Sequence, residues 1–138
     1  MGTTPGERLM GQLERRAEVI SGEFKPQDIA ITLWAYATMG TRPGKRLVGQ
    51  LERQAEAISG EFNPQDIANT LWAFATMRTK PVDRLMGHLE RRAEAISGEF
   101  NSQHIANTLW AFASMGNIYF EVTLRFCCSL SCRFVDVY

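Results

Sequence analysis

One feature constrains the fold of this chain more than any other: a segment of 38 residues recurs along it. The prolines and tryptophans that mark the recurrence are Pro5, Pro43, Pro81, Trp34, Trp72 and Trp110. Aligning residues 43–80 with residues 81–118 leaves 27 of 38 positions identical. A fixed period of this size is typical of a solenoid, in which each unit covers the apolar face of its neighbour. The period differs from the ~34 residues of TPR units, the ~33 of ankyrin units and the ~40–47 of HEAT and armadillo units.

The residue pattern of each unit predicts two helices. In the second unit, the first helix covers roughly Pro43–Ile58, where leucine, alanine and isoleucine recur at helical spacing. Gly60 is expected to end this helix in the left-handed conformation that glycine adopts easily. The second helix begins at Asn63, a capping residue, and runs to Met77. The predicted fold is therefore all-α, an αα-hairpin solenoid of about three units.

The units are expected at residues 5–42, 43–80 and 81–118, in a repeat array over residues 1–116. The first six residues match positions 39–44 at five of six places, so we expect the chain to be cut from a longer array. Residues 117–138 do not follow the repeat. Their Tyr-Phe-Glu-Val-Thr-Leu-Arg-Phe run favours a strand, which predicts an irregular or strand-like tail from a truncated or misjoined gene product.

The composition excludes several classes of function. Fifteen basic and fifteen acidic residues give zero formal charge, which excludes a globally cationic nucleic-acid binder but permits a local basic face. No apolar run reaches the ~18 residues of a membrane span, so no membrane partner is expected. The three cysteines, Cys127, Cys128 and Cys132, lie in the tail without a second ligand pair, so zinc is not expected.

Catalytic constellations are missing from the sequence. Neither His88 nor His104 pairs with a serine or cysteine nucleophile, and both are lone histidines in different predicted helices. The Pro43-Gly44-Lys45 segment lacks the glycine spacing of a phosphate-binding loop. We therefore expect no enzyme activity, no cofactor, no metal and no small-molecule substrate.

Charges are segregated around the first helix of each unit. On a helical wheel, basic and amide residues follow one flank of the apolar stripe, and glutamates lie on the opposite side. The candidate phosphate contacts are Arg8, Arg15, Arg46, Arg53, Arg84 and Arg91, and the candidate base contacts beside them are Gln12, Gln50 and His88. Such a stripe suits single-stranded RNA, because arginine binds phosphate or stacks on bases and amides read base edges. The alternative is that these arginines pair with glutamates of adjacent units and hold the array together.

The second helix of each unit is apolar apart from one narrow polar strip. In the second unit the strip consists of Gln65, Asn69 and Thr76, and the first unit has Ile31 in place of Asn69. One uncharged polar position per unit is a way to read one base per repeat, so Asn69 and Asn107 are candidate base contacts. Alternatively, these two asparagines satisfy loops between units. The three tryptophans border the strip, where they would either stack on bases or pack between units.

The string from Glu61 to Met77, Glu-Phe-Asn-Pro-Gln-Asp-Ile-Ala-Asn-Thr-Leu-Trp-Ala-Phe-Ala-Thr-Met, resembles the octotricopeptide repeat. That degenerate helical-hairpin repeat also has 38 residues. The string is similar to the helical repeats of Tbc2-type chloroplast translation factors, FAST-kinase-like proteins and RNA-editing substrate-binding complexes. The resemblance covers residues 1–116. It implies non-catalytic, sequence-guided RNA binding in a chloroplast or mitochondrion, in RNA processing, stability or translation.

Two other functions stay open at this stage. One is a protein-interaction scaffold, in which the array grips a helix or an extended segment of a partner protein. The other is a fragment without a function of its own, since three units are the lower limit for a stable array. The leading interpretation is an RNA-binding solenoid with single-stranded RNA as its partner.

Overall fold

The six helices of this chain form two layers. The computed structural model describes the backbone of residues 6–126 and the side chains of residues 6–116. The helices are α1 Glu7–Val19, α2 Pro26–Met39, α3 Lys45–Ala57, α4 Pro64–Thr76, α5 Asp83–Ala95 and α6 Ser102–Phe126. Helices α2, α4 and α6 pack side by side in one layer, and α1, α3 and α5 form the other. This arrangement confirms the predicted αα-hairpin solenoid.

The second helix of each unit begins at a local hydrogen-bonded cap. The Asn63 side chain accepts a hydrogen bond from the backbone N–H of Asp66 at 2.7 Å, and the Asp66 carboxylate accepts one from the N–H of Asn63. In the third unit Asn101 and His104 form the same pair of contacts. Two N–H groups that have no partner within the helix are thereby satisfied. The predicted cap at Asn63 is confirmed.

The helices end in two different ways. Gly40 ends α2 in the left-handed region at φ 73°, and Arg78 takes the same region at φ 56° after α4. Gly60 does not, so the predicted left-handed ending of α3 is wrong. Instead the chain enters a 3₁₀ turn at Ser59–Glu61, in which the N–H of Glu61 donates to the carbonyl of Ile58 at 2.9 Å. Because this turn satisfies a terminal carbonyl of α3, the backbone has no need of a left-handed residue.

The end of the array differs from its sequence-based prediction. Helix α6 continues through Phe126, so the strand predicted for the Tyr-Phe-Glu-Val-Thr-Leu-Arg-Phe run is wrong. In the first two units a proline follows the second helix, at Pro43 and Pro81, and a proline cannot continue a helix. The equivalent position in the third unit is Tyr119, which keeps its N–H and allows the helix to extend. Residues 127–138, with Cys127, Cys128 and Cys132, lie outside the described residues.

The hydrophobic core lies between the two layers and runs through all three units. The middle unit contributes large side chains that are almost fully buried. They are Leu47 and Leu51 of α3, Leu71 and Phe74 of α4, and Phe62 between the two helices. These belong to one continuous cluster with equivalent residues of the adjacent units. Among the helices described, none is both long and apolar enough to cross a bilayer.

In the first and second units, a glutamate binds the backbone at the start of the next unit's first helix. Glu52 accepts a hydrogen bond from the N–H of Val82 at 2.8 Å, and Glu14 accepts one from the N–H of Gly44 at 3.4 Å. Burial raises the pKa of Glu52, although the N–H of Val82 favours the ionised form. Glu14 also accepts a 2.7 Å bond from the hydroxyl of Tyr36. Burial, followed by this contact with Glu14, raises the pKa of the Tyr36 phenol.

Candidate nucleic-acid interface

The six candidate arginines lie together on the layer formed by α1, α3 and α5. All of them are exposed on the side of this layer that faces away from the core. Because the helices of the layer are stacked in register, the arginines form two columns with one member from each unit. The first column comprises Arg8, Arg46 and Arg84, and the second comprises Arg15, Arg53 and Arg91.

The first column is partly engaged in ion pairs between units. Arg46 Nε lies 3.5 Å from Glu18 Oε2, and Arg84 Nε lies 3.4 Å from Glu56 Oε2. In both pairs the glutamate belongs to the preceding unit. The pairing alternative is therefore confirmed for these two arginines. The arginine side chains of these pairs are 78% and 80% exposed, so solvent screens the pairs and they contribute only about 0–1 kcal/mol.

The second column is free of carboxylate partners within the described residues. Neither Arg15 nor Arg53 makes a hydrogen bond or an ion pair to that part of the chain. Arg91 Nη2 lies 3.4 Å from Nδ1 of His88, one helical turn away. These three guanidinium groups are therefore available to an anionic ligand.

Two further residues of the same flank link the units. Gln54 Nε2 donates hydrogen bonds to the carbonyls of Gly22 at 3.1 Å and Phe24 at 3.0 Å. Arg92 Nε donates to the carbonyl of Phe62 at 2.9 Å. Since the acceptors belong to the turn of the preceding unit, Gln54 and Arg92 hold adjacent units together.

The three candidate base contacts beside the arginines differ in accessibility. Gln12 is exposed and His88 is half-buried. Gln50 is half-buried as well, and its Oε1 is shielded from solvent without a hydrogen-bond partner in the described part of the chain. Gln12 and His88 are therefore better placed than Gln50 to contact a ligand.

Asn69 and Asn107 lie on the other layer, on α4 and α6. The hydrophobic core separates them from the arginines, so the structure does not bring the two groups of candidate residues together. Neither amide makes a hydrogen bond to the described residues. Within the described residues, the alternative that these asparagines satisfy loops between units is therefore wrong. Both amides are half-buried and have no partner in that part of the chain.

The tryptophans form a ladder across the same layer. The ring centroids of Trp34 and Trp72 are 6.4 Å apart, and those of Trp72 and Trp110 are also 6.4 Å apart. Trp34 is 45% exposed and Trp110 is 37% exposed. The expected packing between units is confirmed. Trp34 and Trp110 lie at the surface, whereas Trp72 is half-buried and packs against the core. Trp72 lies seven residues after Gln65 and three residues after Asn69, which places all three on one face of α4. This helical spacing is a sequence signal that could have assigned Trp72 to the polar strip.

Comparison with known families gives one match. The model of the family described as RNA-editing substrate-binding complex 6 protein matches residues 5–120. The chain belongs to this family. A search of the curated proteins finds no match to the chain.

The match to the RNA-editing substrate-binding complex 6 protein family spans all three repeat units. It agrees with one of the resemblances drawn from the Glu61–Met77 string, and the octotricopeptide and Tbc2-type resemblances stay predictions. Within residues 6–116 the side chains form no group of three or more potential metal ligands. The candidate functional surfaces of this family member are therefore the arginine columns on one layer and the tryptophan ladder on the other.

Proposed function

We propose that this chain is a non-catalytic repeat protein that binds single-stranded RNA and acts in RNA processing. The observation that carries the proposal is the column of Arg15, Arg53 and Arg91, which repeats once per unit and has no carboxylate partner within residues 6–116. The name of the family, an RNA-editing substrate-binding complex protein, supports the same class of ligand.

The proposed contact combines phosphate binding with limited contact to bases. Each guanidinium of the column presents paired N–H donors that fit two phosphate oxygens or stack on a base. Adjacent helix axes are typically 8–10 Å apart, so the column offers one cation per unit along the array. Gln12 and His88 lie on the same flank and would contact base edges. Arg8, Arg46 and Arg84 would add a weaker second row of positive charge, because Glu18 and Glu56 partly neutralise Arg46 and Arg84.

The strength of binding follows from the number of cations. Three phosphates neutralised on a single strand give a slope of log affinity against log salt of about −2, at roughly −0.7 for each phosphate. Binding by the isolated chain should therefore be weak and should decrease as salt increases. The stability, processing or translation of particular transcripts in a chloroplast or mitochondrion is the setting that the resemblance implies. Cell fractionation with a tagged gene product tests that location.

Charge reversal in the second column tests the proposed interface. Fluorescence anisotropy of a labelled 12-mer RNA would be measured against the protein and its Arg15→Glu, Arg53→Glu, Arg91→Glu triple variant. We expect at least a tenfold loss of affinity and a shallower salt slope. The matched control reverses Arg46 and Arg84, which already pair with glutamates and should matter less for RNA. Unchanged affinity in the triple variant, with a normal circular dichroism melt, would contradict the interface.

A second candidate function is a protein-interaction scaffold, and a specific observation favours it. Leu9 and Leu13 are exposed at one end of the array, and Ile105 and Leu109 are exposed at the other. Exposed apolar faces of this kind are typical of protein contacts. Leu13→Gln and Leu109→Gln would leave RNA affinity unchanged but would weaken the binding of a protein partner. Loss of RNA binding in these variants, with the fold intact, would speak against a separate protein surface.

A further inference from the structure

We propose that the outer surface of the α2, α4 and α6 layer is a second RNA-contacting site, where unpaired nucleobases stack on tryptophan and hydrogen-bond to amides. This inference rests on the proposed function, because it takes RNA as the ligand. We call the surface the tryptophan strip. Its members are Gln27, Ile31, Trp34, Thr38, Gln65, Asn69, Trp72, Thr76, Gln103, Asn107, Trp110 and Ser114.

The strip is one continuous face, repeated three times. In α4 its members follow Gln65 by four, seven and eleven residues, which is the spacing of side chains on one face of a helix. Because the three helices pack side by side, equivalent residues of the units lie next to each other. The tryptophan rings are therefore spaced evenly at 6.4 Å, with tilts of 32° and 33° between neighbours.

The aromatic rings supply the stacking surface. A partly exposed indole offers a flat face to any base, and stacking of this kind contributes about 1–3 kcal/mol per base in single-strand binding proteins. The second unit provides one ring, Trp72, and two amides, Gln65 and Asn69. Helical repeats that read RNA use two or three side chains for one base. The chemistry available in each complete unit therefore matches one nucleobase.

The amide side chains of the strip have donors and acceptors that are not used within the described part of the chain. The side chains of Gln65, Gln103, Asn69 and Asn107 make no hydrogen bonds to the described part of the chain. Each amide presents both donors and an acceptor, as the edges of bases do. A partner of this chemistry can therefore bind here without displacing an internal contact of the protein.

The charges around the strip admit a polyanion. In residues 26–39, 64–76 and 102–116 the acidic residues are Asp28 and Asp66, and both bind the backbone at a helix start. Near the end of α4, the exposed Arg42 donates through Nε to the carbonyl of Met77 at 2.9 Å. Asp66 is buried and Asp28 is exposed in the first turn of α2, but beyond these first turns residues 29–39, 67–76 and 105–116 contain no acidic residue. This part of the aromatic and amide surface therefore favours nucleobases over a basic peptide.

The first unit provides an internal comparison for this site. Ile31 takes the place of Asn69 and Asn107 and is 51% exposed, so it offers no hydrogen bond to a base. The inference therefore expects the first unit to contribute least to base binding. It also expects Ile31→Asn to strengthen binding, because the change restores the missing amide on an exposed position.

The test uses tryptophan fluorescence of the full chain and two 12-mer ligands, an RNA and an abasic strand of the same length. We expect the RNA to quench the fluorescence and the abasic strand to bind at least tenfold more weakly without quenching. Asn69→Ala with Asn107→Ala should weaken RNA binding about tenfold, and Trp110→Leu by a similar factor. Ile31→Asn should strengthen it, and circular dichroism melting checks that each variant is folded.

The outcomes separate this inference from the proposed function. In one outcome, the arginine variants abolish RNA binding, while RNA neither quenches the fluorescence nor binds more weakly to the Asn69→Ala, Asn107→Ala variant. This result would overturn the tryptophan strip and leave the arginine interface. RNA binding that responds to the strip variants alone would support the strip and contradict the arginine column. No RNA binding by the folded chain at low salt would overturn both. In that case, quenching by a protein partner would identify the strip as a protein surface.

Discussion

The middle unit and the end units of the array have similar sequences, yet equivalent side chains differ greatly in solvent exposure. Leu51 of the middle unit is 1% exposed, whereas Leu13, its equivalent in the first unit, is 53% exposed. On the other side, Leu71 is 1% exposed and its third-unit equivalent Leu109 is 63% exposed. The difference arises from neighbours and not from composition. Most of the core of this protein forms between units, so a side chain of one unit depends on the next unit for its burial.

The two ends lack cover on opposite sides. The first unit leaves Leu9 and Leu13 open, and the third leaves Ile105 and Leu109 open. The middle unit is covered on both sides within the described chain. In such an array, stability is approximately a sum of unit terms and nearest-neighbour interface terms. Matched substitutions at equivalent positions should therefore have unequal effects.

The largest difference in stability between matched variants is expected for the leucine that the middle unit buries in its first helix, Leu51. Leu51→Ala should lower the free energy of unfolding by about 2–5 kcal/mol, because it removes buried methyl groups and leaves a cavity. Leu13→Ala should lower it by only about 0.5 kcal/mol, as for a surface position. Urea denaturation followed by circular dichroism measures both. Equal losses would mean that Leu13 is covered in solution.

A smaller inequality is expected for the hydrogen bonds that join units. Gln54→Ala removes the donor to the carbonyls of Gly22 and Phe24, which should cost about 1–2 kcal/mol. Arg16 is the equivalent residue of the first unit and is exposed, so Arg16→Ala should change stability by less than about 0.5 kcal/mol. The same denaturation experiment compares the two variants. An unchanged free energy of unfolding in Gln54→Ala would show that water replaces the Gln54 amide at both carbonyls.

The smallest effect is expected in the pH dependence of stability. Burial raises the pKa of Glu52 above its ordinary value, so the folded state disfavours the carboxylate. The contribution of the protonated Glu52 carboxyl to the free energy of unfolding is therefore complete below the ordinary pKa of glutamate. It is lost as pH rises through the pKa that Glu52 has in the folded state. Glu52→Gln keeps an acceptor for the N–H of Val82 but cannot ionise. Its free energy of unfolding should therefore decrease less than that of the parent chain between pH 4 and pH 7.

Glu90 is the matched control for this comparison. It is the third-unit equivalent of Glu52 and is exposed, so Glu90→Gln should leave the pH profile close to that of the parent chain. Denaturation midpoints at four pH values from 4 to 7 are sufficient to compare the slopes. A profile of Glu52→Gln that coincides with the parent would show that Glu52 is solvated in solution.

Local signals in the sequence predicted much of the fold. The period predicted the three units and Asn63 predicted a helix start, because both signals can be read along the chain itself. Gly60 did not take the predicted left-handed conformation, since a 3₁₀ turn satisfied the backbone first. The strand expected near Tyr119 was wrong because residue type favoured a strand, whereas the absence of proline let α6 continue.

The candidate site was predicted only in part, for a physical reason. Helical spacing placed Arg15 and Arg53 on an exposed flank, which requires only one helix. Whether Arg46 meets Glu18, or whether Asn69 meets a loop, depends on the offset between units, and a single sequence does not contain that offset. The sequence placed Asn69 and the arginines on different helices of a unit, but it does not contain the packing of these helices into two separate layers.

The glutamate that binds the next unit's first helix has a consequence for how such arrays grow. Glu14 lies thirty residues before Gly44, and Glu52 lies thirty residues before Val82, so each contact crosses the boundary between units. Every copy of the 38-residue segment therefore contains one donor and one acceptor of this joint. Tandem duplication of the gene segment reproduces the joint without any new mutation, and near-identical copies such as 43–80 and 81–118 can be exchanged or inserted as compatible modules.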